Sequence, residues 1–118
     1  MKLTTVIICT FFVLAWTLPP AFADAKNDEI SYLINSVGKS GCTFIRNGKR
    51  YTGKDARQHL RSKRKLNAHL IHSAEDFIEK IASRSSTSGQ PYMISCRGKE
   101  QQTANAWFTR LLVLHRSI

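Results

Sequence analysis

The sequence predicts an α+β domain: a small three-stranded antiparallel sheet and about four helices, in the order α-β-β-α-α-β-α, with one disulfide. Three observations lead there. Asn47-Gly48 separates two short runs rich in β-branched and aromatic residues, 42–46 and 49–52, the strongest short-range signature of a β-hairpin. Apolar residues recur at helical spacing in separate stretches on either side of that hairpin. Cys42 opens the first hairpin strand and Cys96 falls on a later predicted strand, so a shared sheet can bring the two thiols together.

Residues 1–23 read as a cleavable export signal. Met1-Lys2 gives a short positive start, residues 6–18 form an apolar run, Pro19-Pro20 breaks it, and Ala21-Phe22-Ala23 is a small-x-small cleavage site. The run is short for a bilayer span and has no stop-transfer flank. Cys9 lies inside it behind the bulky Ile8, which argues against lipidation. Residues 24–118 then form a single domain, expected to be soluble because no second apolar segment follows. Export implies an oxidising compartment, where Cys42 and Cys96 should pair. A core of this size supplies only marginal stability, so a bridge would matter.

Taken in order, residues 27–37 predict the first helix. Ile30, Leu33, Ile34 and Val37 share one face, Asp28 and Glu29 suit the N-terminal dipole, and Gly38 or Gly41 should end it. In the hairpin, alternation puts Cys42 and Phe44 on one face, Thr43 and Ile45 on the other. Thr52-Gly-Lys-Asp55 has the form of a capping box and opens a helix over residues 53–66 with a thin apolar stripe, chiefly Ala56 and Leu60. Ser73-Ala-Glu-Asp76 repeats the pattern and opens another over 74–83, with 67–72 as a bend. Residues 83–90, rich in serine, are a loop. Residues 91–97 predict the third strand, with Tyr92, Ile94 and Cys96 on one face. Residues 98–102 turn, and Thr103 caps a last helix carrying Trp107, Phe108, Leu111, Leu112 and Leu114.

Charge is the strongest functional cue. The chain carries a formal net charge of +10, and over residues 46–65 nine basic residues face one acid, Asp55. Such a field attracts anionic partners. Arg57, Arg61, Arg64 and Lys65 share a helix face, where like charges repel unless packing or a counter-charge holds them.

Four spaced motifs resemble the YfeK-like family. They are Phe44-Ile-Arg-Asn-Gly48 with Tyr51, His59-Leu60 with Lys63, Ser73-Ala-Glu-Asp-Phe-Ile78, and Ile81 through Tyr92, with Trp107 fitting as well. The resemblance covers nearly all of residues 24–118. It implies a small bacterial periplasmic protein with a domain of unknown function. It brings no catalytic residues.

No pattern points to a reaction. His69, His72 and Asp76 have a zinc-compatible spacing only on one continuous helix, which the cap at Ser73 interrupts, so no metal is expected. Cys42, if bridged, cannot act as a nucleophile, and Ser40 sits on no nucleophile elbow. Nucleic acid is not expected as a partner, since the basic run lacks interleaved exposed aromatics. The expectation is therefore a non-catalytic binding or accessory domain, without cofactor, engaging an anionic envelope component or an acidic protein. Arg46, Arg50, Arg57, Arg61 and Arg64 would attract it at long range. Arg84, Ser86, Ser88 and Tyr92, around the serine-rich loop, would select at short range. The alternative is a small hydrolase or metal-dependent enzyme using His59, His72 or Asp76. A third possibility, a structural subunit, would need an exposed apolar patch around Trp107 and Phe108.

Overall fold

The computed structural model describes residues 20–118, so most of the expected export signal lies outside the described residues. Helix α1 (Pro20–Lys39) starts before the predicted Asn27 and runs to the predicted glycine region, where Gly41 takes φ +67°. Strands β1 (Thr43–Arg46) and β2 (Lys49–Tyr51) form the hairpin. Helix α2 (Gly53–Leu66) has the predicted bounds, capped by the Thr52 hydroxyl, which accepts from the Asp55 amide at 3.2 Å. A single 3-10 turn, Ala68–Leu70, fills the bend. Helix α3 starts as Ala74–Asp76 and widens into a π-helical stretch, Phe77–Ala82. Strand β3 (Met93–Ser95), a two-residue strand β4 (Gln102–Thr103) and helix α4 (Ala104–Arg116) complete the chain.

The sheet is antiparallel in the order β2-β1-β3-β4, one strand more than expected. Residues 98–102 do turn, but the chain then pairs Gln102 with Ile94 and Thr103 with Met93 before the cap takes over. Two residues carry no alternation, which is why no pattern announced β4. The outer strand β2 exposes Lys49 and Arg50, charges that discourage further edge pairing.

One core joins both layers. Ile30, Leu33, Ile34 and Val37 of α1 are at most 1% exposed, so the predicted stripe faces inward. They meet Ala56 and Leu60 of α2, Phe77 and Ile81 of the π stretch, Phe108 and Leu112 of α4, and Phe44 of the sheet. Phe44 pairs across strands with Ile94, and both are buried. Gly53 is required where α2 begins: a Cβ there would stand 2.4 Å from the Val37 carbonyl oxygen, closer than backbone can yield. Phe108 is fully buried and Trp107 packs half-buried beside it at 5.2 Å between ring centroids, while Val113 and Leu114 further along α4 are exposed.

Thr43 pairs with Ser95, which sets Cys42 and Cys96 beside each other, and they form the disulfide. The bridge spans 54 residues of sequence and ties the start of the hairpin to the end of β3. In the chain-entropy account a loop of that size is worth about 4 kcal/mol. Cys42→Ala with Cys96→Ala is expected to lower unfolding free energy by roughly that amount, read as the urea midpoint at constant m-value. A loss below about 1 kcal/mol would show that the denatured chain is not what the bridge constrains.

Candidate functional site

The hairpin, α2 and the serine-rich loop converge on a groove. Arg46 ends β1, His59 and Lys63 lie one turn apart on α2, Tyr92 immediately precedes β3, and Ser86 and Thr87 project from the loop. With Leu66 and Asn67 they line a cavity of about 400 Å³. Arg46 and His59 also line an adjoining cavity of about 180 Å³, walled by Phe44, Tyr51, Asp55 and Ala56. Arg46 and His59 line both, so the two cavities meet at these side chains.

Lys63 is the unusual member. Only 8% of it is exposed, although lysine is almost never buried without a counter-charge. Its Nζ donates to the Arg84 carbonyl at 2.8 Å and to the Tyr92 hydroxyl at 3.1 Å. An ammonium has three donors, and no carboxylate takes the third among the described residues, where the ion pairs are Lys80–Asp76, Arg116–Glu29 and Arg116–Glu75. Arg46 is similarly incomplete: its Nε is shielded from solvent and has no hydrogen-bond partner among the described residues. His59 Nε2 stands 3.5 Å from the Tyr92 hydroxyl. The larger cavity therefore gathers two cations and an imidazole around one phenol, and no acid is among its lining residues.

Electrostatics follow from that crowding. Burial, reinforced by Arg46 and Lys63, holds His59 below the ordinary imidazole value of 6.5. Burial, then Arg46, lowers Lys63 from its ordinary 10.5. Burial raises the Tyr92 phenol, against an opposing pull from Arg46. Folding thus disfavours the charged imidazole. Its penalty is absent well above pH 6.5, grows as pH falls from 6.5 towards the lower folded value and is complete below it, so acid weakens the free protein here.

The loop that closes the groove is held in place. Ser85 N–H donates to the Gln90 carbonyl and Gly89 N–H to the Ser85 carbonyl, both at 2.9 Å, while Arg84 bridges Pro91. Asn47 adds a clasp from the hairpin tip. Its side-chain amide donates to the Ser85 hydroxyl at 3.2 Å, and its carbonyl oxygen accepts from the Ser88 hydroxyl. Ser85 is 1% exposed. The serine-rich segment is a pinned strap.

Of the residues expected to bind, the structure brings Arg46, Ser86 and Tyr92 into the groove. Arg50 is exposed on β2. Arg57 lies over Gly38, Arg61 donates to Asn35 at 3.0 Å, and Arg64 donates to Ser31 at 3.3 Å and Asn27 at 3.2 Å, so these three zip α2 to α1. Packing against α1 is the force that holds the like-charged face. The Arg84 side chain lines a separate cavity with Glu75, Glu79 and Arg116, although its carbonyl serves Lys63, and Ser88 is committed to Asn47. His72 and Asp76 line neither of the two cavities that His59 lines: the His72 amide donates to Asp76 at 3.0 Å, which makes the pair a helix cap. No group of three His, Cys, Asp or Glu side chains suits a metal among the described residues. Sequence reasoning gave His59 a role only in the alternative enzymatic reading and gave Lys63 no role in a site. Their signal was spacing, because Lys63 falls three residues after Leu60 and seven after Ala56, on the buried stripe of α2.

Asn47→Gly keeps the left-handed turn, since Asn47 has φ 50°, and removes only the clasp. Hydrogen exchange at the Thr87 and Gly89 amides is expected to rise at least about tenfold with global stability within about 1 kcal/mol. Unchanged exchange would mean that the strap does not depend on Asn47.

Comparison with known proteins gives no activity. Residues 24–116 match a family described as "Family of unknown function (DUF5329)". The chain is 39% identical over 90 residues to the uncharacterized protein YfeK of Salmonella typhimurium strain LT2, covering 73% of this chain and 74% of that protein. No solved structure matches. Together these show that the chain belongs to the DUF5329 family, with YfeK as a relative.

Proposed function

We propose that this domain is a non-catalytic binding module for a small anionic group, which enters the groove between α2 and the strap. The observation that carries this reading is the buried Lys63 ammonium with no carboxylate, beside an Arg46 guanidinium whose Nε is unbonded among the described residues. A buried charge without compensation costs stability, and an anion that accepts from Lys63 and Arg46 supplies it. Ser86, Thr87 and the Tyr92 hydroxyl offer neutral donors around the same space.

The groove favours a phosphate-sized group over an extended acidic protein surface, because Lys63 lies inside and the outer arginines of α2 are occupied by α1. The formal charge of +10 supplies long-range attraction, which salt screens. In the periplasm, where the leader would deliver this domain, phosphorylated envelope components are anions of the right chemistry.

Sulfate is the cleanest probe, since it stays doubly charged across the pH range tested. Calorimetric titration with sodium sulfate is expected to show one saturable site. Lys63→Met or Arg46→Met should weaken it about ten- to a hundredfold, the scale of a charge-assisted hydrogen bond, while the surface variant Arg50→Ala binds like wild type. Affinity should rise as pH falls from about 7.5 to about 5.5, because bound anion favours the imidazolium that Arg46 and Lys63 otherwise disfavour. Absence of saturable binding, or equal loss in Arg50→Ala and Lys63→Met, would contradict the assignment.

A further inference from the structure

Resting on the anion-site reading, we infer that the ligand is a phosphorylated sugar, with its phosphate beside Lys63 and its ring in the smaller cavity. The groove is chemically polarised along its length. At one end lie Lys63, Ser86 and Thr87; Arg46 and His59 occupy the middle; Phe44, Tyr51, Ala56 and Asp55 form the other end. A ligand that were only an anion would leave the second end without purpose.

The smaller cavity, at about 180 Å³, is close to the roughly 150 Å³ that accepts a single benzene ring. Its walls are a buried Phe44, a half-buried Tyr51 and the small Ala56, flat and apolar enough to receive the C–H face of a six-membered ring. Asp55 decides which ring. Its carboxylate forms no ion pair among the described residues, and Asp55 is an exposed residue that lines the smaller cavity but not the larger one. A purely aromatic ring seated there would cover acceptors without offering a donor, which is costly. Sugar hydroxyls are donors, and they can reach a carboxylate while the ring's carbon face rests on the aromatic walls. The negative charge of Asp55 also repels a phosphate, so the ligand has one orientation.

The test compares inorganic phosphate, glucose 1-phosphate, glucose 6-phosphate and phenyl phosphate by titration of the full domain at one pH and ionic strength. At least one hexose phosphate is expected to bind about tenfold or more tightly than inorganic phosphate, and more tightly than phenyl phosphate. Asp55→Ala should erase that advantage without weakening inorganic phosphate binding, and Tyr51→Ala should erase it too if Asp55→Ala perturbs the helix start. Phosphate binding with no gain from either hexose overturns the sugar inference and leaves the anion site standing. Phenyl phosphate binding best overturns the role of Asp55. No binding by any of the four overturns both.

Discussion

A single buried ammonium holds the groove between α2 and the strap together. Lys63 reaches from α2 to the Arg84 carbonyl and the Tyr92 hydroxyl, joining the helix to both ends of the serine-rich strap. The contacts are hydrogen bonds to neutral acceptors, which leave the positive charge in place. An ordinary folding solution would have put leucine there, completing the stripe of Ala56 and Leu60. Keeping a cation in a buried position without a carboxylate costs stability, and such costs concentrate where a protein binds or reacts.

The rest of the fold positions that charge. The hairpin places Arg46 at the end of β1, and its turn residue Asn47 closes the strap over the cavity through Ser85 and Ser88. Gly53 lets α2 start against the Val37 carbonyl, and the arginines on the outer side of α2 bond to α1. The disulfide fixes β1 against β3, so Phe44 and Tyr92 meet at 5.2 Å between ring centroids beneath the groove. Sheet, helix and strap each contribute one wall.

Much of this architecture was legible in the residues. Asn47-Gly48 marked the hairpin, Thr52 and Ser73 marked two helix starts, and Cys42 with Cys96 marked the sheet register. Local chemistry fixes such features, so a short window reveals them. Strand β4 escaped because two residues carry no period, and the π stretch because widening the helix depends on tertiary packing around Ser83, whose hydroxyl bonds the Ile78 carbonyl. The site was only partly legible. Arg46, Ser86 and Tyr92 stood out through charge and loop chemistry. Lys63 was hidden inside a run of nine basic residues, where only helical phase separates one buried lysine from its solvated neighbours. Arg57, Arg61 and Arg64 misled for the converse reason, since composition cannot say that α1 lies alongside them.

The central claim is that the Lys63 charge is incomplete until an anion arrives. Titration of the Lys63 side chain by NMR of selectively labelled lysine, with and without sulfate, tests it most directly. The account predicts a midpoint below that of the exposed lysines in the free protein, moving upward on sulfate addition as the charged form gains a partner. A Lys63 that titrates with the surface lysines and ignores sulfate would contradict it.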